Sequence, residues 1–279
     1  MLNEIIKNRR IQLGLSRKNI CENLCSESTL YRFESGLHDI NSHLLVEICN
    51  RLKLETVIVT DIKITKKEHA LFLLMQHFIY KKNIKELENI LNSFKNESLS
   101  RDWFKIKNWC QAVIHFYKKE YILCENIISN HLKISEPKNS LDLLILNTLI
   151  LNYISQNNYI KALEVATNCI HYIDTHKVES IDINSKVKYS YAHALFKNNY
   201  KKESEEVIIE LIEMLLNEKT FFLLGKCYFF LYVIYKNKKL SLAHTYLKLS
   251  YMTFQIENSD IPQQVKEEMK HLKDSSIYL

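Results

Sequence analysis

Five positions in this chain mark the same event at nearly even intervals. At Ile84, Tyr121, Tyr159, Tyr200 and Leu240 a short polar turn ends and an aromatic or aliphatic residue opens a new run, at spacings of 37, 38, 41 and 40 residues. On both sides of each turn, apolar residues recur every three or four positions for about four turns, the pattern of an amphipathic helix. The chain beyond residue 65 therefore reads as helix pairs at 66–96, 101–134, 140–175, 181–216 and 220–257. A pair repeated at a near-fixed interval cannot bury its apolar faces alone and must stack on its neighbours. With only 3 Gly and 2 Pro in 279 residues, the composition argues for long helices with short turns and against a β-rich fold.

The interval slightly exceeds the ~34 residues of a tetratricopeptide repeat, but the local pattern is similar. Tyr121 with Cys124, Tyr159 with Ala162 and Leu240 with Ala243 place a small side chain three positions on, where the second helix approaches the first. Tyr200 is followed at that distance by Glu203, with Ser204 next, which makes the fourth unit the least regular. A last helix over 262–273 closes the stack, since Pro262 suits a first turn and solenoid ends need a polar closing element. The expected fold class is all-α: a right-handed superhelix of five tetratricopeptide-like pairs and a C-terminal capping helix. Its first helices line a concave surface. Such grooves take extended peptides, though the repeats alone fit a structural or protein-scaffold role equally well.

Ahead of the repeats, residues 14–36 read as two short helices joined by a tight turn. Ser16 is placed to cap the first, with Ile20 and Leu24 on its buried face. Leu30 and Phe33 anchor the second, and Ser35 with Gly36 stops it. Between those anchors the exposed face carries Glu27, Ser28, Thr29, Tyr31 and Arg32, all able to touch base edges or phosphates. This is a DNA-reading helix-turn-helix. A helix over 2–13 packs Ile5, Ile6 and Leu13 beneath it, and one over 41–54 adds Leu44, Leu45, Ile48 and Leu52. Four residues before Gly14, Arg10 resembles the arginine that the phage-repressor-type helix-turn-helix family pairs with the glutamate closing its recognition helix. The resemblance implies a pair with Glu34, favoured over a phosphate contact because a half-buried charge needs a partner. Arg9, Arg17 and Lys18 have no such partner in the sequence and are the phosphate candidates. Arg17 and Lys18 oppose the dipole of the helix they open, which favours an anion nearby over a merely solvated face.

Charge alone would not identify nucleic acid as the partner. The net charge is +6, and residues 1–60 hold eight basic against seven acidic side chains. The seven cysteines are odd in number and scattered. With no signal peptide and no apolar run of membrane-spanning length, a cytosolic protein with reduced thiols is expected and no membrane partner. Cys21 and Cys25 lie four apart, as in half a metal site or a redox pair. No second Cys/His pair with zinc spacing follows, however, and a buried apolar cysteine is usually inert. No glycine-rich phosphate loop, His-Glu-x-x-His run or nucleophile elbow occurs, so neither an enzyme nor a cofactor or metal is expected.

A helix-turn-helix followed by five such repeats in this length resembles the PlcR-like peptide-responsive quorum-sensing regulators of Gram-positive bacteria. The residues carrying the resemblance are 22–25, 28–32 and 34–36 in the head, with a turn one residue shorter than most relatives have. Further on they are Trp109, Lys118, Lys119, Tyr121, Cys124, Ala192, Ala194, Leu195, Gly225 and Tyr228. The resemblance implies a homodimer on a palindromic double-stranded DNA operator, controlled by a short, secreted and re-imported signalling peptide in the repeat groove. Aligned to the family's peptide-clamping positions, Thr148 (beside Asn147) and Ser190 stand where it has asparagines. Lys226 stands where it has glutamine, and Lys81 and Lys82 loosely match a lysine near the end of the first repeat. Glu27 replaces a glutamine of the recognition helix. The linker over 56–65 is shorter and rich in β-branched residues. These departures imply a paralogue with its own peptide.

The expected organisation is a DNA-binding domain over 1–55, a linker over 56–65 and a regulatory and dimerisation domain over 66–279. The expected groove set is Lys81, Lys82, Asn147, Thr148, Asn152, Ser190, Tyr191, Lys226 and Tyr228, whose amides, hydroxyls and cations suit a peptide backbone and its carboxylate. The alternatives are a repeat scaffold for a protein partner, or a constitutive phage-type repressor whose repeats only dimerise.

Overall fold

A computed structural model describes residues 2–38, 40, 42–52, 66–93, 100–176, 178, 180–257 and 260–276. The expected linker over 56–65 lies outside the described residues. Among them there is no strand, and the elements are helices α1 (Leu2–Gln12), α2 (Arg17–Cys21), α3 (Glu27–Glu34), α4 (Ser42–Arg51), α5 (Lys66–Tyr80), α6 (Ile84–Ser93), α7 (Arg101–Tyr117), α8 (Tyr121–Asn126), α9 (Ser140–Ser155), α10 (Tyr159–His176), α11 (Ile181–Lys197), α12 (Lys201–Asn217), α13 (Leu224–Tyr235), α14 (Leu240–Ile256) and α15 (Gln263–Ser276). A π turn, Ile127–His131, prolongs α8. The helices form two compact units, 1–134 and 135–279.

The first unit holds α1 to α8. Ile6, Ile20, Leu30, Phe33, Leu45, Ile48 and Leu52 make one buried cluster with Cys21, Cys49 and, from α5, Leu73. Leu24 is only half-buried and sits in the turn after α2 rather than on it. Asn23 in that turn takes the left-handed conformation (φ +57°), which asparagine tolerates better than most residues.

The second unit is a tetratricopeptide-like superhelix of the pairs α9–α10, α11–α12 and α13–α14, closed by α15. Helix α9 is buried all round from Leu141 to Ile150, as its nearly uninterrupted apolar sequence requires. Ala162, Ala243 and, in the first unit, Cys124 are fully buried third residues beyond a helix start. Helix α12 starts at Lys201, one residue later than Tyr200, so Ser204 takes the same place. Its hydroxyl donates to the Ala192 carbonyl at 2.7 Å. The fourth unit is thus shifted by one residue, not irregular. Gly225 is needed for close approach: a Cβ there would stand 3.0 Å from the Phe254 ring. Val265 of α15 is buried against Tyr232, Leu247 and Phe254, which makes α15 the cap that the sequence calls for.

Four turns inside the pairs are built alike. After α5, α7, α9 and α11 a residue in the left-handed region (Lys82, Lys119, Asn157, Asn199) follows the helix. The next amide reaches back to the helix, Asn83 to Phe78 O at 2.9 Å, Glu120 to His115 O at 2.8 Å, Asn158 to Tyr153 O at 2.9 Å and Tyr200 to Leu195 O at 3.0 Å. This six-to-one closure satisfies carbonyls that a helix end leaves unpaired. Glycine usually fills the left-handed position; here lysine or asparagine does, which is how the chain manages with 3 Gly.

Candidate nucleic-acid interface and repeat groove

Helix α3, the expected recognition helix, is fixed at both ends. Ser26 is its N-cap, accepting from the Thr29 amide at 3.1 Å, and its hydroxyl bonds those of Ser28 and Thr29, both at 2.8 Å. At the far end Gly36 is left-handed (φ +71°) and Leu37 N donates to Arg32 O at 2.8 Å. The preceding helix has the cap expected at Ser16, completed as a capping box by Asn19. With Leu30 and Phe33 turned into the core, Glu27, Ser28, Tyr31 and Arg32 are exposed and Thr29 half-exposed. All five expected side chains therefore reach solvent.

Beneath it lies a buried ionic group. Glu34 accepts from Arg10 through Nε at 2.6 Å and Nη2 at 2.9 Å, the expected pair, in the strong bidentate form. Arg10 Nη1 also donates to Leu15 O at 3.0 Å. Burial pushes the Glu34 carboxyl up, but hydrogen bonds from Arg10 and Arg17 and their charges outweigh it and hold Glu34 below the usual carboxylate range. The Glu34 partner in turn raises Arg10.

The sequence assigns no partner to Arg9 or Arg17, and the structure gives both one. Arg17 Nε donates to Glu34 at 2.8 Å, while its guanidinium lies 5.1 Å from the Tyr31 ring centre. Arg9 Nε donates to the Leu52 carbonyl at 3.1 Å, just past the end of α4, where a cation offsets the helix dipole. Both misses share a cause: the partners are 17 and 43 residues away, and periodicity does not show such contacts. Lys18 is exposed. Sequence reasoning also missed Arg51, whose Nη1 holds Ile20 O at 2.9 Å, and Ser26.

The expected groove residues are distributed unevenly. Asn147 and Thr148 on α9 are buried, Asn152 and Ser190 are buried to 0% and 2% exposure, Tyr191 is half-buried and Lys226 is exposed. The Thr148 hydroxyl donates to Leu144 O of its own helix at 3.2 Å. Lys226 and Tyr228, two residues apart, face away from each other on a helix of 3.6 residues per turn. Tyr228 stacks on Tyr246 of α14 with ring centres 6.3 Å apart, so it faces its partner helix. Lys81 and Lys82 are exposed at the end of α5, Lys81 lying 5.2 Å from the centre of the Tyr80 ring. The buried Oδ1 of Asn147 makes no hydrogen bond, and neither does that of Asn184 on α11, a residue the sequence did not single out. Each is an acceptor in want of a donor, at a cost of about 1–3 kcal/mol.

Among the described residues no group of three or more His, Cys, Asp or Glu side chains is placed to hold a metal, and no helix is long and apolar enough to cross a membrane. No protein-family profile and no curated protein matches this sequence. Solved structures do. Bacillus thuringiensis PlcR, solved in complex with the peptide PapR7 and DNA, superposes with a TM-score of 0.61 at 20% identity over 98% of both chains. ComR from S. thermophilus, solved with DNA and its signalling peptide ComS, gives 0.53 at 14% identity over 99% of both. The fold is that of PlcR and ComR. The apo form of the competence regulator ComR from Streptococcus vestibularis has it too, at a TM-score of 0.50 and 14% identity, over 98% of this chain and 97% of that one.

Proposed function

We propose that this chain is a cytosolic, non-enzymatic transcriptional regulator that binds a palindromic operator as a homodimer and is switched by a short signalling peptide held in its repeats. Residues 1–55 serve as the reading head, 56–65 as the linker and 66–279 as the regulatory and dimerisation part. The observation that carries the reading is the recognition helix: capped at both ends, anchored by a buried carboxylate paired to two arginines, with a polar face left for DNA. Full-length likeness to two proteins solved with both DNA and peptide supports the peptide half.

In this reading Glu27, Ser28, Thr29, Tyr31 and Arg32 enter the major groove. Glu27 accepts from a cytosine amino group, and Lys18 and the outer edge of Arg17 meet phosphates. One head contacts too few base pairs for specificity in a genome, and two heads about 34–36 Å apart read both half-sites. In the repeats the unpaired Asn147 and Asn184 carbonyls take backbone N–H groups of an extended peptide, and Lys226 takes a carboxylate.

Selection of duplexes from a random pool by the purified protein, followed by sedimentation of the complex, tests the DNA half. A palindrome bound by two chains is expected; recovery of no preferred sequence would overturn it. Calorimetry with the C-terminal residues of a secreted pro-peptide encoded beside the gene tests the peptide half. An Asn147→Leu variant should bind that peptide at least tenfold more weakly.

A further inference from the structure

The turn that aims the recognition helix contains two sulfurs in contact. Cys21 Sγ and Cys25 Sγ are 3.6 Å apart, and Cys25 N donates to Cys21 O at 3.1 Å. That closure holds the two residues across one tight turn, with Asn23 between them in the left-handed conformation (φ +57°). A disulfide bond is about 2.05 Å long, so the sulfurs must close by roughly 1.6 Å, a small movement of the turn. Cys25 is partly exposed, whereas the other six cysteines are all buried. Cys21 Sγ also donates to the carbonyl of Ser26 at 3.6 Å, and Ser26 is the residue that caps α3.

We infer that Cys21 and Cys25 form a reversible redox pair through which a peroxide controls the recognition helix. The accessible Cys25 thiolate attacks hydrogen peroxide, taking one oxygen to become a sulfenic acid and releasing hydroxide. The Cys21 sulfur then attacks the Cys25 sulfur. Its proton leaves with the sulfenic hydroxyl as water, so that two thiols and one peroxide give one disulfide and two waters. Burial shields Cys21 and pushes its thiol up to about 12, so the accessible Cys25 is the one that meets the oxidant, and Cys21, with its sulfur 3.6 Å away, is placed to resolve it. A dithiol reductant reverses the bond by exchange.

Oxidation removes the only hydrogen on Cys21 Sγ, so the bond to Ser26 O is lost, and it draws the turn toward Cys25. The N-cap of α3 is the next residue in the chain. Its first turn, Glu27 to Thr29, loosens, and the reading face loses its preorganised end. This last consequence rests on the proposed DNA function; the bond itself does not.

Both cysteines fall on one tryptic peptide, 19–32, which makes the test direct. The full-length protein is treated with hydrogen peroxide, alkylated, digested and weighed. Peptide 19–32 should lose the mass of two hydrogens and resist alkylation until reduced. Hydrogen exchange over 27–32 should quicken, and affinity for a duplex selected with the reduced protein should fall at least tenfold, returning on reduction. Cys25→Ser should bind that duplex as the reduced protein does and ignore peroxide. Cys21→Ala should stop at a sulfenic acid on Cys25 that dimedone captures. A gain of oxygen on peptide 19–32 in place of the hydrogen loss would overturn the pair. So would a disulfide that leaves exchange over 27–32 unchanged. If no duplex is selected at all, the DNA function fails, while mass and exchange still decide the redox pair.

Discussion

Replacing Glu34 by glutamine tests how the reading head is held together. Glu34 receives two hydrogen bonds from Arg10 and one from Arg17, at 2.6, 2.9 and 2.8 Å. Arg10 is 8% exposed and would be left as a buried cation facing an amide. The side chain of Arg17 is about one-third exposed and regains water, so its bond is discounted to roughly 1 kcal/mol or less. The loss therefore falls mainly on Arg10, and breaking one side of a buried pair costs about 3–5 kcal/mol, a large part of a domain's stability of about 5–15 kcal/mol. Urea unfolding followed by tryptophan fluorescence reads it, since Trp103 and Trp109, the chain's 2 tryptophans, are buried in the same unit. Replacing the pair together, Arg10→Met with Glu34→Leu, should recover most of the loss, because no uncompensated charge remains. The folded carboxyl titrates below its unfolded value. Its contribution is therefore complete above about pH 4.3 and is lost as pH falls through the lowered folded value; Glu34→Gln should lack this acid limb. A Glu34→Gln loss of less than about 1 kcal/mol would refute the desolvation reasoning.

Three further outcomes are expected. Lys119→Gly should stabilise the protein by roughly 1 kcal/mol, by relieving a side chain held at φ +62°, and a rise in thermal midpoint checks it. Gly225→Ala should destabilise by about 1–3 kcal/mol, because its Cβ meets the Phe254 ring at 3.0 Å; pairing it with Phe254→Leu should restore part of the midpoint. Glu27→Gln should change the preferred base at one position of the selected duplex by about 1–3 kcal/mol, and the same sequence recovered by both proteins would show that Glu27 does not read a base.

The helix pairs were legible because their signal is local. Periodicity, a small third residue and a polar turn all lie within one repeat, so each second helix begins within one residue of the position read from the sequence. The Arg10–Glu34 pair was legible because the motif resembles the phage-repressor-type family, which pairs an arginine there with the glutamate closing the recognition helix. The partners of Arg9 and Arg17 were not, since each is a long-range contact with no sequence signature. The groove set suffered from a different limit. Polarity marks Thr148, Asn152 and Ser190 as candidates, but only packing reveals that they are enclosed among helices. Asn184 went unnoticed because an unpaired buried oxygen is a property of its surroundings, not of its neighbours in the chain.

Leu73 has a practical bearing on how the head can be studied. It belongs to α5, yet it fills the same interior as Ile6, Leu30 and Leu52. A fragment ending before α5 would lack one wall of its own interior and open a hole lined by the roots of the recognition helix. Large-to-small losses of this kind cost about 2–5 kcal/mol, enough to leave a fragment of four short helices partly molten at body temperature. The head borrows part of its keystone from the first repeat, and affinities measured on an excised head would report the missing stone as much as the DNA.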